Sequence, residues 1–441
     1  MKRSRYNIFN EYYDNKEKVI AYNSMTNALA LMSKENYDKF INSDIENLKC
    51  DNDFYDKLVK GGYLVDDDFN ELTYLSYCLL RDRYSTKALG LTIAPTIDCN
   101  FNCIYCFQKD GKDNLYMSKN VQDNIITFIK QQANNIEDLS IVWYGGEPLL
   151  NMQAIEYLSE NILEVCEKNN VRYYAYMVTN GYNLTEEIVK RLRELQVLGL
   201  QVTIDGTEKI HNERRPLVGG QGTFRQILKN VKVAAEHIED ISLRINVDKE
   251  NINETSNLIK YLMENDISKC AKIYLAPVDN TNECYENNLC LEQKSFSDLT
   301  LDIYDDLVEN EGYSEKINYP RLITNSCIAD TINGLLIDPT GLLYKCWCDI
   351  GIEDMAIGSL NPEDTERYNR TLFNEYMMYD ATKDEICKEC DLLPICMGGC
   401  PRKRIDGTNR CTMFKTDLDK KLQWMADKLL KKQKECTVVN S

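Results

Sequence analysis

Six short β-rich segments alternate with amphipathic helical segments between Leu89 and Ala276, and this alternation constrains the fold more than any other feature of the sequence. Consecutive βα units of this kind wind around a parallel sheet. The predicted strands are Leu89–Ile93, Leu139–Tyr144, Tyr174–Val178, Leu200–Ile204, Ile241–Val247 and Lys272–Ala276. Six units are too few to close a barrel, so the sequence predicts an α/β fold with a partial (β/α)6 TIM-like barrel.

The loop after the first predicted strand carries three cysteines, Cys99, Cys103 and Cys106, in a C-x3-C-x2-C spacing. This spacing matches a [4Fe-4S] cluster in which one iron has no protein ligand and is free to bind a cofactor. A zinc-binding loop or a set of buried thiols is the alternative interpretation. The loop lies at the carboxyl end of its strand, which is the end where barrel active sites form.

Together with Tyr105, the aromatic residue before the third cysteine, this run resembles the signature of the radical S-adenosylmethionine (radical SAM) enzymes. The resemblance implies that the free iron binds S-adenosylmethionine and that Tyr105 lies near its adenine. It also implies a partial barrel, in agreement with the βα alternation. The implied chemistry is reductive cleavage of the cofactor to a 5′-deoxyadenosyl radical.

A second group of cysteines lies toward the C-terminus and contains the block C-x2-C-x5-C-x3-C. It resembles the Cys-rich SPASM domain, whose presence implies two auxiliary [4Fe-4S] clusters and three clusters in all. Two zinc sites are the alternative, although zinc ribbons favour two matched C-x2-C pairs. By the resemblance, the outer cluster is held by Cys387, Cys390, Cys396 and Cys411, and the inner one by Cys327, Cys346 and Cys400. Cys348 is either a fourth ligand of the inner cluster or a bystander.

Further motifs at strand ends resemble the cofactor-binding segments of the same family. The predicted cofactor-binding residues are Tyr105, Gly145, Gly146, Glu147, Pro148, Asn180, Thr203, Asp205, Arg215 and Asn246. The resemblance implies that Glu147 receives the amino group of the cofactor and that Thr203 and Arg215 contact its carboxylate. Arg214 is an adjacent alternative to Arg215. For Asn246, contact with the ribose and a structural role at the strand end both remain open.

The general base is difficult to predict because the chain has only two histidines. A base must therefore be a carboxylate, a tyrosine, a lysine or a thiolate. Asp279, just past the sixth strand, is the catalytic residue that the sequence predicts from its position. An aspartate that caps a turn is the alternative.

The residues before the barrel carry none of these motifs. The strands predicted here are Tyr6–Phe9 and Lys18–Tyr22, the helices are Thr26–Phe40, Asp53–Lys60 and Glu71–Tyr84, and Gly61–Val65 is predicted as a turn into a strand. Their order resembles the winged-helix-like element of many maturases of ribosomally made peptides, which pairs a strand edge with the leader of the precursor peptide. A plain cap on the barrel is the alternative. Three domains are predicted: a leader-recognition domain (1–86), the radical SAM barrel (87–310) and the SPASM domain (311–441).

Composition limits the cellular setting and the partners. The 70 Asp and Glu outnumber the 52 Lys and Arg, and the net charge of −18 argues against non-specific nucleic-acid binding. The first residues lack the apolar stretch of a signal peptide, and no apolar run reaches the ~18 residues of a membrane span. The sequence therefore predicts a cytoplasmic protein whose thiols are reduced.

Taken together, the motifs and resemblances predict a radical SAM/SPASM peptide maturase. Its predicted partners are a Cys-containing precursor peptide with a leader and an electron donor such as a flavodoxin or a ferredoxin. The predicted product is a crosslink, a thioether from a peptide cysteine. The alternative is an anaerobic sulfatase-maturating activity, which oxidises a cysteine or serine to formylglycine and needs no N-terminal module.

Overall fold

The computed structural model describes residues 1–108, 114–310, 320–364, 369–408 and 410–438. The chain divides into two compact units. The first unit comprises Met1–Arg83, Gln293–Cys327 and Met378–Ser441, and the second comprises Tyr84–Glu292 and Ile328–Met377. Within the described ranges, every helix is too short or too polar to cross a bilayer.

The secondary structure alternates strands and helices over most of the chain. The strands are β1 Lys2–Arg3, β2 Asn7–Glu11, β3 Lys18–Asn23, β4 Leu29–Ser33, β5 Leu64–Val65, β6 Ala88–Ile93, β7 Asp138–Trp143, β8 Arg172–Thr179, β9 Val197–Thr203, β10 Asp240–Val247, β11 Lys272–Pro277, β12 Gly334–Ile337, β13 Leu342–Tyr344 and β14 Gly358–Ser359. The helices are α1 Lys34–Asn42, α2 Ile45–Leu48, α3 Asn52–Lys60, α4 Glu71–Arg83, α5 Lys119–Gln132, α6 Met152–Asn169, α7 Glu186–Glu194, α8 Glu208–Arg214, α9 Phe224–Ala235, α10 Thr255–Glu264, α11 Ile267–Cys270, α12 Gln293–Asn310, α13 Arg370–Met378, α14 Leu393–Cys396, α15 Pro401–Ile405 and α16 Phe414–Val438.

The second unit is built on a nine-stranded sheet with the order β11-β10-β9-β8-β7-β6-β12-β13-β14. The strands β6 to β11 are parallel and stand in chain order. All six predicted strands are therefore confirmed. In the part of the chain that the structure describes, β11 and β14 form the two edges, so the sheet stays open, as a partial barrel requires.

The two faces of this sheet differ in burial. On β8, Tyr173, Ala175 and Met177 are buried, whereas Tyr174 and Tyr176 on the other face are 38% and 41% exposed. Alternation of this kind places residues i and i+2 on one face of a strand. One face of the sheet is thus covered by apolar packing, and the other carries polar and aromatic side chains that remain accessible.

The first unit contains a three-stranded antiparallel sheet with the order β2-β3-β4. On one face, Val19 and Ala21 of β3 pack with Phe40 of α1 and Leu58 of α3. On the other face, Tyr12 and the β3 residues Ile20 and Tyr22 pack against a C-terminal group of apolar side chains. That group, called here the C-terminal apolar face, consists of Leu392, Ile395, Leu418, Leu422 and Ala426. The N-terminal sheet therefore shares a core with the C-terminal helix.

The prediction of a helix over Thr26–Phe40 is wrong in its first half, because Leu29–Ser33 forms β4. Asn27, with φ 59°, makes the tight turn that returns the chain to β3. The helix begins only at Lys34, and the Ser33 side chain caps it by accepting a hydrogen bond from Asn36 N. Pairing with β3 outweighs the helix propensity of Leu, Ala and Met in this segment.

Candidate functional site

The Gly145–Pro148 segment packs directly against the chain that leads into the Cys99 loop. Gly146 N donates to Thr96 O at 3.2 Å, and Glu147 N donates to Asp98 O at 2.9 Å. A Cβ atom added to Gly146 would overlap the carbonyl oxygens of Ile97 and Asp98. Glycine is needed here because two backbone segments, one after β6 and one after β7, approach each other closely.

Replacing Gly146 by alanine should displace the Ile97–Asp98 backbone and with it the start of the cysteine loop. We expect at least a tenfold loss of S-adenosylmethionine affinity, measured by equilibrium dialysis on reconstituted protein. Gly220→Ala is the matched control, because a Cβ there meets no atom within 4 Å and only the positive φ opposes it. Equal affinity in the two variants would contradict the close-approach role of Gly146.

Glu147 has a fully buried carboxylate that joins the ends of β7 and β8. Its Oε1 accepts from Leu149 N at 3.1 Å and from Thr179 Oγ1 at 2.7 Å, and its Oε2 accepts from Asn180 N at 2.7 Å. Burial raises the pKa of Glu147, while these hydrogen bonds and Arg215 act against the shift. A carboxylate has about four acceptor positions, so one position on Oε2 is left for a further donor.

The cysteine loop after β6 is fixed by backbone contacts to the segment between α8 and α9. Asn102 N donates to Pro216 O at 2.9 Å, and Ile104 N donates to Arg214 O at 3.1 Å. Cys99 Sγ accepts from Phe101 N at 3.4 Å and is approached by Asn180 Nδ2 at 3.9 Å. Donors aimed at sulfur stabilise a thiolate, the form that binds iron. The loop therefore fits the cluster predicted for Cys99, Cys103 and Cys106.

Tyr105 is the centre of a hydrogen-bond network that contains three other predicted cofactor residues. Its hydroxyl donates to Asp205 Oδ2 and accepts from Arg215 Nη1 at 2.7 Å and from Asn246 Nδ2 at 3.0 Å. Burial raises the pKa of Tyr105 well above its usual value. Residues from the ends of β6, β9 and β10 thus meet at one point, as the barrel geometry predicts.

Three buried polar atoms at this network have no hydrogen-bond partner among the described residues, namely Asp205 Oδ1, Arg215 Nε and the adjacent Arg214 Nε. Buried polar groups are nearly always paired, so orphan atoms of both charge types indicate a site for a polar ligand. Burial raises the pKa of Asp205, and Arg215 and Arg214 oppose this rise. The donor set fits a zwitterionic cofactor with hydroxyl groups, such as S-adenosylmethionine.

The adjacent Arg214 is used differently from Arg215. Its Nη2 donates to Asp248 Oδ2 at 2.6 Å, and its guanidinium lies 5.2 Å from the centre of the Tyr105 ring. Asp248 also accepts from the hydroxyl of Tyr285 at 2.8 Å. Sequence reasoning missed Asp248 and Tyr285. The position of Asp248 directly after β10 could have identified it as a site residue, whereas no sequence motif marks Tyr285.

His211 is a buried, neutral side chain next to the hydrogen-bond network around Tyr105. Its Nδ1 accepts from Asp205 N at 3.2 Å, so the ring proton is on Nε2, which faces Thr223 Oγ1 at 3.0 Å. Thr223 Oγ1 in turn donates to Arg215 O at 2.8 Å. Burial, followed by Arg215 and Arg214, lowers the pKa of His211 well below its usual value. The imidazole thus positions the backbone of both Asp205 and Arg215.

Because the folded pKa of His211 is depressed, its contribution to stability is fully present above the unfolded pKa of about 6.5 and is lost as pH falls below it. We expect wild-type protein to lose about 1 kcal/mol more stability between pH 7.5 and 5.5 than His211→Asn does. Anaerobic denaturant titrations at the two pH values measure this. A His211→Asn profile parallel to wild type would contradict the assignment.

Thr203 and Asp279 lie at the same end of the sheet but enter none of the contacts described above. Thr203 is 7% exposed at the end of β9, where its register partner on β10 is Arg244. Asp279 is exposed, two residues beyond β11. Its role as a base stays a prediction.

Among the C-terminal cysteines, those predicted to hold the outer cluster all belong to the first unit. Cys387 Sγ lies 3.6 Å from the Tyr379 hydroxyl and 3.8 Å from Arg410 Nη2, and Cys390 Sγ lies 3.7 Å from Lys415 Nζ. Burial raises the pKa of Cys396, and the nearby thiols of Cys411 and Cys390 raise it further. Hydroxyl, guanidinium and ammonium donors next to sulfur are the surroundings that favour thiolate ligands.

Within the described ranges, no three His, Cys, Asp or Glu side chains converge as ligands of one metal ion would. The thiols of a [4Fe-4S] cube each bind a different iron and stand further apart than ligands of a single ion. Gly399 brings the backbone of this block close to that of the segment leading into Cys411, because a Cβ there would overlap Arg410 O. Cys400 N donates to the same oxygen at 3.0 Å.

The residues predicted for the inner cluster are divided between the units. Cys327 and Cys400 belong to the first unit, and Cys346 and Cys348 to the second. The thiol of Cys348 lies close to that of Cys346 and raises its pKa. Trp347 between them stacks on Tyr144 with ring centres 4.5 Å apart and donates to Thr92 Oγ1 at 3.1 Å. Sequence reasoning missed this aromatic pair, which ties Cys346 and Cys348 to the carboxyl ends of β6 and β7.

Comparison with known proteins agrees with this geometry. Residues 93–262 match the Radical SAM superfamily. The chain carries a radical SAM domain. This domain implies a [4Fe-4S] cluster and S-adenosylmethionine, and the prediction of a radical SAM enzyme is confirmed.

One relative of this chain is a cysteine-type anaerobic sulfatase-maturating enzyme of Clostridium novyi. The two sequences are 24% identical over 378 residues, which cover 79% of this chain and 100% of that protein. The radical SAM cyclopropyl synthase TigE of Paramaledivibacter caminithermalis is 23% identical over 431 residues, covering 89% of this chain and 83% of that one. Among solved structures, Streptococcus suis SuiB bound to its precursor peptide SuiA has a TM-score of 0.53 and 15% identity over 93% of this chain and 98% of SuiB.

Proposed function

We propose that this radical SAM enzyme is a maturase of a ribosomally made precursor peptide and forms a crosslink in it, a thioether from a peptide cysteine. In this proposal, residues 1–86 recognise the leader, residues 87–310 form the barrel and residues 311–441 form a SPASM domain. The partners are a Cys-containing precursor peptide and a low-potential electron donor such as a flavodoxin or a ferredoxin.

In the proposed mechanism, Cys99, Cys103 and Cys106 hold the cluster, and Phe101 N and Asn180 direct donors at Cys99 Sγ. When bound, the cluster and S-adenosylmethionine supply the electron and the 5′-deoxyadenosyl radical that removes a hydrogen atom from the substrate. The free acceptor position on Glu147 Oε2 receives the amino group of the cofactor. Arg215 Nε and Thr203 bind its carboxylate, and Asn246 binds its ribose.

Forming the thioether requires a second oxidation. One hydrogen atom leaves to the deoxyadenosyl group, and the cysteine sulfur bonds to the resulting carbon centre as one proton and one electron depart. In this proposal Asp279 would take the proton, and an auxiliary cluster held by the C-terminal cysteines would supply the acceptor for the electron. The peptide therefore loses two hydrogens per crosslink. Cys387, Cys390, Cys396 and Cys411 hold the outer auxiliary cluster, while Cys327, Cys346 and Cys400, with or without Cys348, hold the inner one.

One observation supports a peptide maturase over a sulfatase maturase: the N-terminal sheet has an open edge at β4. On the outer strand β4, the backbone groups of Ala30 and Met32 face β3, as the bond from Asn23 N to Ala28 O and the register require. Those of Leu29 and Leu31 point away from the sheet. Unpaired groups of this kind accept an additional strand.

Formylglycine formation is the second candidate, because the sulfatase-maturating relative aligns over its entire length. The two activities differ in product mass. Anaerobically reconstituted and reduced enzyme is incubated with S-adenosylmethionine, Cys-rich precursor peptides and a sulfatase peptide. Loss of two hydrogens from a precursor peptide supports the crosslink, whereas loss of two hydrogens with exchange of sulfur for oxygen at the cysteine of a Cys-containing sulfatase peptide supports formylglycine.

Edge-blocking variants test the N-terminal module without removing it. In Leu31→Pro a proline replaces an outward N–H of β4 and leaves the ladder to β3 intact. Glu11→Pro is the matched change on the opposite edge, at β2. If the leader adds to one edge, one variant loses peptide processing and the other retains it, while both still form 5′-deoxyadenosine without peptide. Full processing by both variants would contradict leader recognition by this sheet.

A further inference from the structure

The charged side chains on the accessible face of the parallel sheet form ion pairs with one another, except for Arg244. At the amino ends of the strands, Lys272 bonds Asp240 at 2.7 Å, and Arg172 bonds Asp138 at 2.7 Å. Arg244 lies further along β10, on the same face as Ser242 and Asn246, because strand residues alternate between faces. It is the charged side chain nearest the centre of this face.

Two contacts position the guanidinium of Arg244, and they leave its terminal nitrogens available to a ligand. Its Nε donates to Asn246 Oδ1 at 2.7 Å, and its Cζ lies 5.9 Å from the centre of the Tyr274 ring. Across the described residues, no acceptor takes a hydrogen bond from Nη1 or Nη2 of Arg244. A positioned guanidinium with both terminal nitrogens available is the geometry that binds a carboxylate in a bidentate manner.

The surroundings of Arg244 suit a peptide segment. Tyr176 is 41% exposed, and the Tyr274 hydroxyl donates to Gln201 Oε1 at 2.7 Å. Exposed aromatic and amide groups can contact a polypeptide whatever its charge. Among these groups, Arg244 is the one charged side chain without an oppositely charged partner in the described residues. Its neighbour Asn246 bonds Tyr105 in the cofactor network. A group bound by Arg244 therefore lies next to the place where the radical is generated.

We propose that Arg244 is the substrate-anchoring residue of this enzyme and binds a carboxylate of the peptide, from an Asp or Glu side chain or from the C-terminus, near the reacting residue. This inference rests on the proposed function. It assigns the substrate an acidic group close to the site of hydrogen abstraction. The cofactor carboxylate is assigned elsewhere, since Arg215 beside Tyr105 has an unpartnered buried Nε of its own.

Glutarate serves as the probe of the site, first without and then with saturating S-adenosylmethionine. Ligand-observed NMR on the reconstituted enzyme should show glutarate binding that Arg244→Gln abolishes and Arg244→Lys weakens. Arg172→Gln, which alters a paired arginine on the same face, should bind like wild type. Absence of binding to wild type, unchanged binding to Arg244→Gln, or displacement of glutarate by S-adenosylmethionine would each overturn the proposal, the last because it would assign Arg244 to the cofactor.

A second measurement separates this proposal from the proposed function. The rate of 5′-deoxyadenosine formation without peptide is measured for wild type and Arg244→Gln, and each peptide-dependent rate is divided by it, because Arg244 also bonds Asn246 of the cofactor network. For a processed peptide, replacing its acidic residue by the amide should lower the rate about tenfold or more with wild type and leave it unchanged with Arg244→Gln. Glutarate binding without any peptide processing refutes the maturase function and leaves the anion site standing. Processing that ignores the acidic residue refutes the anion site alone.

Discussion

Replacing Cys99, Cys103 and Cys106 together by alanine should abolish 5′-deoxyadenosine formation and remove about four of the roughly twelve irons that three [4Fe-4S] clusters contain. The physical reason is that these thiols are the only protein ligands proposed for the cluster. The loop itself should remain folded, because the bonds from Asn102 N and Ile104 N and the buried Phe101 side chain hold it in place. Iron analysis and chromatography of the cleavage products measure both effects.

The control for this variant is Cys50→Ala, which removes an exposed thiol on the first unit and should retain all iron and full cleavage. Mössbauer or electron paramagnetic resonance spectra should show that the remaining irons of the triple variant are still in clusters. Deoxyadenosine formation by the triple variant at more than background level would refute the assignment of the cofactor site.

Deleting residues 1–86 should unfold the rest of the first unit rather than yield a working enzyme without a leader-binding module. The C-terminal apolar face would lose the cover that Tyr12, Ile20 and Tyr22 provide. Each large apolar side chain left uncovered costs about 1.5–3 kcal/mol, so the total is on the order of 5–10 kcal/mol. That is comparable with the whole stability of a typical domain, about 5–15 kcal/mol. The outer-cluster iron should be lost with the fold.

Soluble expression, iron content and thermal melting of the truncated chain test this expectation. A milder matched variant is Leu422→Ala, which removes one fully buried side chain of the same face and should cost about 2–5 kcal/mol with the N-terminal sheet present. Should the truncated protein instead keep its iron and melt within a few degrees of wild type, the shared core would be energetically unimportant. Truncation would then become a valid test between the two candidate functions.

The barrel strands could be predicted from the sequence because each is a short apolar run bounded by turns, and the parallel order follows from the helices between them. The cysteine loop, Glu147 and the residues around Tyr105 could be predicted to converge because all follow carboxyl ends of neighbouring strands. The helix predicted over Leu29–Ser33 is wrong. Leu, Ala and Met favour a helix there, but hydrogen bonding to β3 selects a strand.

Other parts of the site depend on contacts between distant positions. Asp248 contacts Arg214 and Tyr285, and Trp347 contacts Tyr144 and Thr92. These partners are too far apart in the sequence for a local pattern to predict the contacts. The reason for Gly146 is also non-local, since only the packed backbone at Ile97 and Asp98 shows that a methyl group does not fit. The shared core of the N-terminal sheet and α16 was missed for the same reason, because neither segment carries a signal that identifies its partner.

That shared core also bears on the order of synthesis. The six parallel strands occupy one uninterrupted stretch, whereas the first unit draws on both ends of the polypeptide. A nascent chain can assemble the parallel strands while translation continues, but the N-terminal strands gain their C-terminal packing partner only after α16 has left the ribosome. The proposed ligands Cys99, Cys103 and Cys106 thus have a folded scaffold before the proposed C-terminal ligands do.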